Sequence, residues 1–299
     1  KCRACCAPGM KSSRLSTDVE GGASAVVAQI TESANELAGN SESSVAGIGV
    51  GVAGQIEAQS GVVRFAPNLD WHDVPLQSQL SAACNLPVVI TSDVRAITWG
   101  EWLFGAGKGC DNLICAFVGT GIGGGCVYEG RLLRGKNNSC MEFGHITVQP
   151  GGPLCGCGKR GCIEAVAGRL AISAAAAKAA YRGEAPNLYK AAGTNLADIR
   201  SGALSKAIKA GDTVVEEIVR NAARWIGMAI ADVVVLISPD IVVIGGGLAE
   251  ALPDLMKKEI EQAVNEHVMD SFRGTFTIAV AELADEASAM GAAAWSVHS

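Results

Sequence analysis

A chain of 299 residues in which 49% are hydrophobic, 18% charged and 5% aromatic has ample material for a buried core, in one large domain or two smaller ones. Its 24 basic and 30 acidic side chains leave a formal charge of −6, which removes the basic footprint that binding a phosphate backbone needs and argues against a nucleic-acid partner. The longest apolar run, IGMAIADVVVLISPDIVVIGGG, is broken by Asp232, Ser238, Pro239 and Asp240, too soon for a membrane-spanning helix.

In chain order, CRACCAP and RLSTDVE read as two short strands around a turn at Gly9. ASAVVAQITESANELAG reads as a helix stopped by Gly39 and Asn40. SVAGIGVGVAGQI is a buried strand dissolving into a glycine loop. It is followed by a loop (RFAPNLDWHDVP), a helix (LQSQLSAAC), a strand (LPVVITSD) and a helix (VRAITWGEWLFGAG). This alternation favours an α/β sheet. The glycine-rich FGAGKG, Phe104 to Gly109, suits a hinge between two lobes. A hairpin, NLICAFVGTGIGGGCVYEGRLL, precedes a cysteine-rich segment and one long helical region, EAVAGRLAISAAAAKAAY. The last third reads as helices (LSKAIKAG and VVEEIVRNAARWIGMAIADVVVLI), the strand IVVIGGG, the helix LMKKEIEQAVNEHV, the strand TFTIAVAE and the helix SAMGAAAWSV.

The 11 cysteines are an odd number, and Cys84, Cys115 and Cys126 lie in apolar stretches where a small hydrophobe serves, so a reducing cytoplasm is the simplest setting. GGPLCGCGKRGCIEA is different. Cys155 and Cys157 are separated by one glycine, Cys162 follows after GKRG, and His145 in MEFGH supplies a fourth donor. Three thiolates and an imidazole form a closed tetrahedral set for structural zinc, with no position left for a catalytic water. Lys159 and Arg160 offset the residual negative charge. Free or disulfide-bonded thiols are the alternative. Glu142 and Glu164 flank this loop, so a metal there can fix two carboxylates and an imidazole around a polar ligand.

GTGIGGG, with Gly119, Thr120, Gly121, Gly123 and Gly124, contains Gly-x-Gly-x-x-Gly but runs into a strand where a dinucleotide site needs a helix. As a turn between strands it can still cradle phosphate oxygens with backbone N–H groups, or it is a tight hairpin without a ligand. PDIVVIGGGLAE ends a buried strand in Gly245, Gly246 and Gly247, where a flat ligand can approach the backbone. Asp93, at the carboxyl end of the strand in VVITSDVRAI, stands where ligand clefts of open α/β sheets form. It can accept a hydroxyl proton during phosphoryl transfer; taken alone, it better suits the N-cap of the following helix.

Together these segments resemble the ROK family of sugar kinases and sugar-responsive repressors, over essentially the whole chain. MEFGH with CGCGKRGCIEA is similar to the family's signature pair, GTGIGGG to its second phosphate loop, PDIVVIGGG to its nucleotide-side strand and SDVRAITWGEWLFGAG to its catalytic-base region. The resemblance implies an α/β, actin-like and ribonuclease-H-like ATPase fold of two lobes with a cleft between them. The lobes would be residues 1–108 and 109–285, with 286–299 packing back on the first. It also implies ATP-dependent phosphorylation of a hexose, with Asp93 as base. Gly54, Ser92, Glu142, His145 and Glu164 would contact sugar, and His145 would hold zinc through its other nitrogen. The glycine loops would hold ATP with an accompanying Mg2+. The protein is expected to be a cytoplasmic homodimer or homotetramer.

Two departures from the family stand out. Ser92 replaces the asparagine that usually precedes the base. Lys1 is similar to the last residue of the family's opening loop, Asp-x-Gly-Gly-Thr-Lys, whose earlier residues are not in this sequence; with them the expected activity is that of a kinase, and without them very low. GEWLFGAGKG is most similar to the glucose-phosphorylating members, which makes glucose the default sugar ahead of N-acetylmannosamine, fructose or allose. A non-catalytic sugar-sensing regulator and an inactive truncated paralogue are the other readings.

Overall fold

The structure, a computed structural model, describes residues 2–5, 12–39, 45–57, 59–136 and 139–298; Gly9, Asn40 and Lys1 lie outside the described residues. In chain order the elements are β1 (Cys2–Cys5), β2 (Ser12–Leu15), α1 (Gly22–Gly39), β3 (Ile48–Val52), β4 (Gln55–Ile56), β5 (Val63–Ala66), β6 (Trp71–Val74), α2 (Leu76–Cys84), β7 (Val88–Ser92), α3 (Asp93–Phe104), β8 (Leu113–Val118), β9 (Ile122–Tyr128) and β10 (Arg131–Leu132). There follow α4 (Ile163–Ala167), α5 (Arg169–Tyr181), α6 (Pro186–Ala192), α7 (Ser201–Lys209), α8 (Thr213–Ile237), β11 (Ile241–Gly245), α9 (Gly247–Ala251), α10 (Pro253–His267), β12 (Thr277–Val280) and α11 (Ala287–His298).

The chain forms two compact units. One comprises 1–109, 131–140 and 282–299, the other 110–130 and 141–281. Among the described residues no helix is long and apolar enough to cross a membrane.

In the first unit, β3 and β7 pair in parallel with Val52 opposite Ser92, so the residues after both strands emerge at the same edge. β4, β5 and β6 form a separate antiparallel sheet. RFAPNLDWHDVP is therefore a hairpin rather than a loop. Its turn is closed by Leu69 N–H donating to the Ala66 carbonyl at 3.0 Å, with Asp70 at φ +54°. The two strands are only four residues each, and each carries two adjacent exposed positions that break any alternation, so their period is invisible in the sequence. Val63, Ala66 and Trp71 nevertheless enter the core with Leu76, Leu80, Val88 and Ile90.

β3, α3 and α11 meet through glycines. A Cβ on Gly291 would lie 1.7 Å from the Ala96 carbonyl oxygen of α3, and one on Gly49 equally 1.7 Å from that of Ala292. The buried Glu101 carboxylate completes the join, accepting from the N–H groups of Ala106 at 3.0 Å, Glu282 at 3.1 Å and Leu283 at 2.9 Å. It thus holds the end of α3 to the segment that leads into α11.

In the second unit four strands lie in the order β9-β8-β11-β12, with β8, β11 and β12 parallel and β9 antiparallel to β8. β8 is buried at every position, as a central strand covered on both faces must be. The 25-residue α8 buries Val215, Val219, Ala222, Ala223, Ile226 and Ile230 at three- and four-residue spacing, the stripe expected of a helix facing a core. α4 packs on α8 and β9, which fixes where the residues on α4 stand. EAVAGRLAISAAAAKAAY is two helices rather than one. Gly168, extended at ψ 156°, is both C-cap of α4 and N-cap of α5. The short α6, which begins at Pro186, has no periodic signal in the sequence.

Gly291→Ala is expected to force α3 and α11 apart and lower stability by about 1–3 kcal/mol, as overpacking does. Thermal denaturation checks it; an unchanged midpoint would mean the two helices do not need this close approach.

Candidate functional site

In the first unit, Gly54, Ser92 and Asp93 follow the carboxyl ends of the parallel pair β3 and β7. Ser92 is the N-cap of α3, its Oγ accepting from Arg95 N–H at 3.4 Å, so the capping role falls to Ser92 and leaves Asp93 as the first helical residue. Asp93 Oδ1 accepts from its neighbour's N–H, Val94, at 2.9 Å. Burial pushes the Asp93 carboxyl above the usual carboxylate range, against the opposing pull of that hydrogen bond. Gly54 sits against β5, where a Cβ would come 2.7 Å from the Phe65 carbonyl oxygen.

In the second unit the cysteine segment folds into a knuckle. Cys155 N–H donates to the Lys159 carbonyl at 2.8 Å, and Thr147 bridges to Cys162. Val148 and Gln149 both donate to the Gly161 carbonyl, at 2.9 and 3.1 Å. Gly161, at φ +78°, lies so close to Gln149 that a Cβ would be 1.7 Å from its carbonyl oxygen. His145, Cys155, Cys157 and Cys162 present donor atoms that all lie within 4.8 Å of one another. Cys157 Sγ is 3.6 Å from Cys162 Sγ, and Cys155 Sγ is 3.7 Å from His145 Nδ1.

A tetrahedron with metal–sulfur bonds of about 2.3 Å has edges of about 3.8 Å, which the Cys157–Cys162 and Cys155–His145 separations match, and the whole set of four donors lies close enough for one small cation. Burial pushes the Cys155 thiol up to about 12 and raises Cys162 as well, whereas the Lys159 backbone N–H lowers the exposed Cys157. Cys155 and Cys162 therefore hold their protons at neutral pH unless a cation replaces them.

Glu164, in the first turn of α4, stands behind the knuckle. Its Oε1 lies 3.7 Å from Cys155 Sγ, and its Oε2 accepts from Ile122 N–H at 3.0 Å. Ile122 follows the Gly119–Gly121 loop directly. A Cβ on Gly121 would fall 2.0 Å from Glu164 Oε2, so the loop and the carboxylate are in intimate contact. Glu142 is exposed at the start of the short 3-10 turn that carries His145, and its carbonyl accepts from His145 N–H at 3.0 Å.

Gly119, Thr120 and Gly121 follow β8, while Gly245–Gly247 end the neighbouring parallel strand β11 and open α9, placing both glycine segments at the same strand ends. Gly123 and Gly124 are not in the loop. They pair with Phe117 and Ala116 as part of β9, and Phe143 fills the place of a side chain at Gly124, where a Cβ would lie 2.5 Å from Phe143 Cβ. Packing also accounts for Gly245 and Gly246, which lie against Phe117 and the Val118 carbonyl; a Cβ on Gly247 would meet only the Ser201 side chain among the described residues, its Oγ at 3.3 Å. Arg169, not singled out by the sequence, donates from Nη2 to Thr120 Oγ1 at 2.9 Å. The two residues are far apart in the chain, and only the fold joins them.

Comparison with known proteins decides the family. A sequence profile of the ROK family matches residues 11–298. The chain belongs to the ROK family. A glucokinase of Thermotoga maritima is 36% identical over 279 residues, spanning 93% of this chain and 86% of the relative. The crystal structure of a ROK family glucokinase from Streptomyces griseus in complex with glucose and AMPPNP matches at TM-score 0.85 and 32% identity, covering 97% of this chain and 92% of that one. The fold is accordingly that of the actin-like, ribonuclease-H-like ATPases. A xylose repressor of Caldicellulosiruptor bescii is 31% identical over 247 residues, 83% of this chain and 61% of the repressor.

Elemental analysis of the purified protein is predicted to find one zinc per chain. Cys162→Ser is expected to abolish it and to lower the thermal midpoint, since structural zinc sites contribute directly to folding. Acidification should release the metal, because the raised Cys155 and Cys162 thiols regain protons first. Full-length protein with no zinc and an unchanged midpoint in the variant would contradict the assignment.

Proposed function

We propose that the chain transfers the γ-phosphoryl group of ATP to the 6-hydroxyl of a hexose, with glucose the first sugar to test. In this reading Asp93 accepts the hydroxyl proton as the sugar oxygen bonds to the γ-phosphorus and the bond to the ADP oxygen breaks. Such transfer is largely a matter of positioning and charge stabilisation, with a carboxylate to receive the proton. Glu142, His145 and Glu164 contact sugar hydroxyls, and Gly54 and Ser92 contribute at the strand edge that carries Asp93. Glycines of the Gly119–Gly121 loop and of the Gly245–Gly247 segment take the nucleotide, which arrives with magnesium.

Zinc, bound by His145 Nδ1 and the three cysteines, supplies no chemistry to the transfer; it holds the knuckle closed. With Nδ1 so engaged, His145 Nε2 carries the proton and can donate to a sugar oxygen.

The observation that carries the reading is the placement of Asp93. It stands at the end of a parallel strand with Oδ1 occupied by Val94 N–H, and burial raises its affinity for a proton. A raised proton affinity is the direction in which a carboxylate is shifted to serve as a general base. The kinship to glucokinases supports the same activity. Kinship to a repressor favours a second reading, a sugar-sensing regulator that binds the ligand and turns over nothing.

Asp93→Asn is predicted to lower kcat by about 10²–10⁴ while the calorimetric affinity for glucose stays within a few-fold of the parent. The base must be ionised, so kcat/KM should fall as pH drops through a value above that of an ordinary aspartate. Unchanged turnover in the variant would refute the base assignment. A parent protein that binds glucose but never forms ADP would favour the regulator.

A further inference from the structure

We infer that Arg169 is a positioning residue for the phosphoryl donor, holding the Thr120 hydroxyl so that its proton points toward an anionic oxygen of the nucleotide. The inference rests on the kinase reading above and concerns a side chain that the family resemblance does not reach.

The Gly119–Gly121 loop has three carbonyl oxygens and one hydroxyl oxygen, each a lone-pair acceptor that an approaching phosphate would find repulsive. All four are occupied. Gly119 O accepts from Arg169 N–H and Thr120 O from Leu170 N–H, both at 3.3 Å, and Gly121 O accepts from Gly119 N–H at 2.9 Å. Thr120 Oγ1 accepts from the Arg169 guanidinium at 2.9 Å. The first residue of α5 therefore engages the loop twice, once through its backbone and once through its side chain.

The chemistry of that side-chain contact is one-directional. A guanidinium only donates, whereas a hydroxyl has a single proton and two lone pairs. With one lone pair committed to Arg169, the Thr120 proton is left to give to a third group. Gly119 and Thr120 are solvent-exposed, so that group comes from outside the fold. An acceptor-only, negatively charged oxygen fits both the free donor and the cation behind it, and phosphate oxygens are such acceptors. The opposite side of the loop is anchored by Ile122 N–H on Glu164, so turning the Thr120 hydroxyl costs the Arg169 bond without gaining a replacement from the fold.

The test is calorimetric titration of AMPPNP, and separately of glucose, into the parent and into Arg169→Met, Arg169→Lys, Thr120→Val, Thr120→Ser and the Arg169→Met/Thr120→Val double variant. Loss of a hydrogen bond to a charged group predicts that Arg169→Met and Thr120→Val each weaken AMPPNP about 10-fold and raise KM for ATP. Glucose affinity should stay within about twofold, a split that a merely structural loss would not produce. Because one residue acts through the other, the double variant should be no weaker than the worse single, and Arg169→Lys and Thr120→Ser should recover part of the affinity.

AMPPNP affinity unchanged in Arg169→Met, multiplicative losses in the double variant, or glucose and AMPPNP weakened alike would each overturn the inference. If Arg169→Met does not fold, the Thr120 pair decides: Thr120→Val binding AMPPNP as tightly as Thr120→Ser overturns it. A parent that binds glucose and not AMPPNP would instead remove the kinase reading on which it stands.

Discussion

The carboxylate of Glu164 is the constraint on which the second unit's site depends. One oxygen lies against the Cys155 sulfur of the knuckle, and the other takes the N–H of Ile122, the residue that closes the glycine loop. A hydrogen bond to an ionised group is worth roughly 1.5–3 kcal/mol, enough to hold a short loop that has few apolar contacts of its own. Gly121 makes the arrangement possible, because any side chain there would occupy the position of Oε2. A single side chain thus spans the cysteine knuckle, whose donors could hold a metal, and the Gly119–Gly121 loop. This explains why a carboxylate follows the cysteines so closely in sequence: it belongs to the helix that the knuckle leads into.

The first unit is held by a different means. There the close approach of β3, α3 and α11 depends on the absence of side chains at Gly49 and Gly291, and on the buried Glu101 collecting three backbone N–H groups. A buried carboxylate without partners would cost several kcal/mol; three charge-assisted hydrogen bonds offset that penalty and fix the direction in which α3 leaves its strand. Asp93 lies at the opposite end of the same helix from Glu101. Asp93 itself stands at the edge of β7 because it directly follows Ser92, the last residue of that strand and the cap of the helix.

Much of this was legible from residue patterns. Long apolar runs such as IVVIG and the three- and four-residue spacing of α8 announce their structure locally, and the cysteine spacing with MEFGH brings four donors together whose measured separations suit one small cation. What escaped was set by contacts distant in sequence or by elements too short to show a period. The β5–β6 hairpin lacks alternation because its middle positions face solvent, and Gly168 divides a run of helix formers through a backbone turn that composition alone does not encode. Gly123 and Gly124 look like loop residues by identity, yet they lie within β9 and Phe143 fills the space above Gly124. The pairing of Arg169 with Thr120 has no local signature at all.

In the proposed reading a metal held by the knuckle would act through position alone, which makes its part separable by experiment from that of the reacting groups. The most direct measurement is the calorimetric affinity for glucose of the protein as purified, after zinc is stripped by a chelator, and after zinc is restored. If the knuckle holds His145 and Glu164 against the sugar, stripping weakens binding by about 10- to 100-fold, the range seen when supporting interactions of a metal site are lost, and re-addition recovers it. Equal affinity with and without the metal would contradict the account.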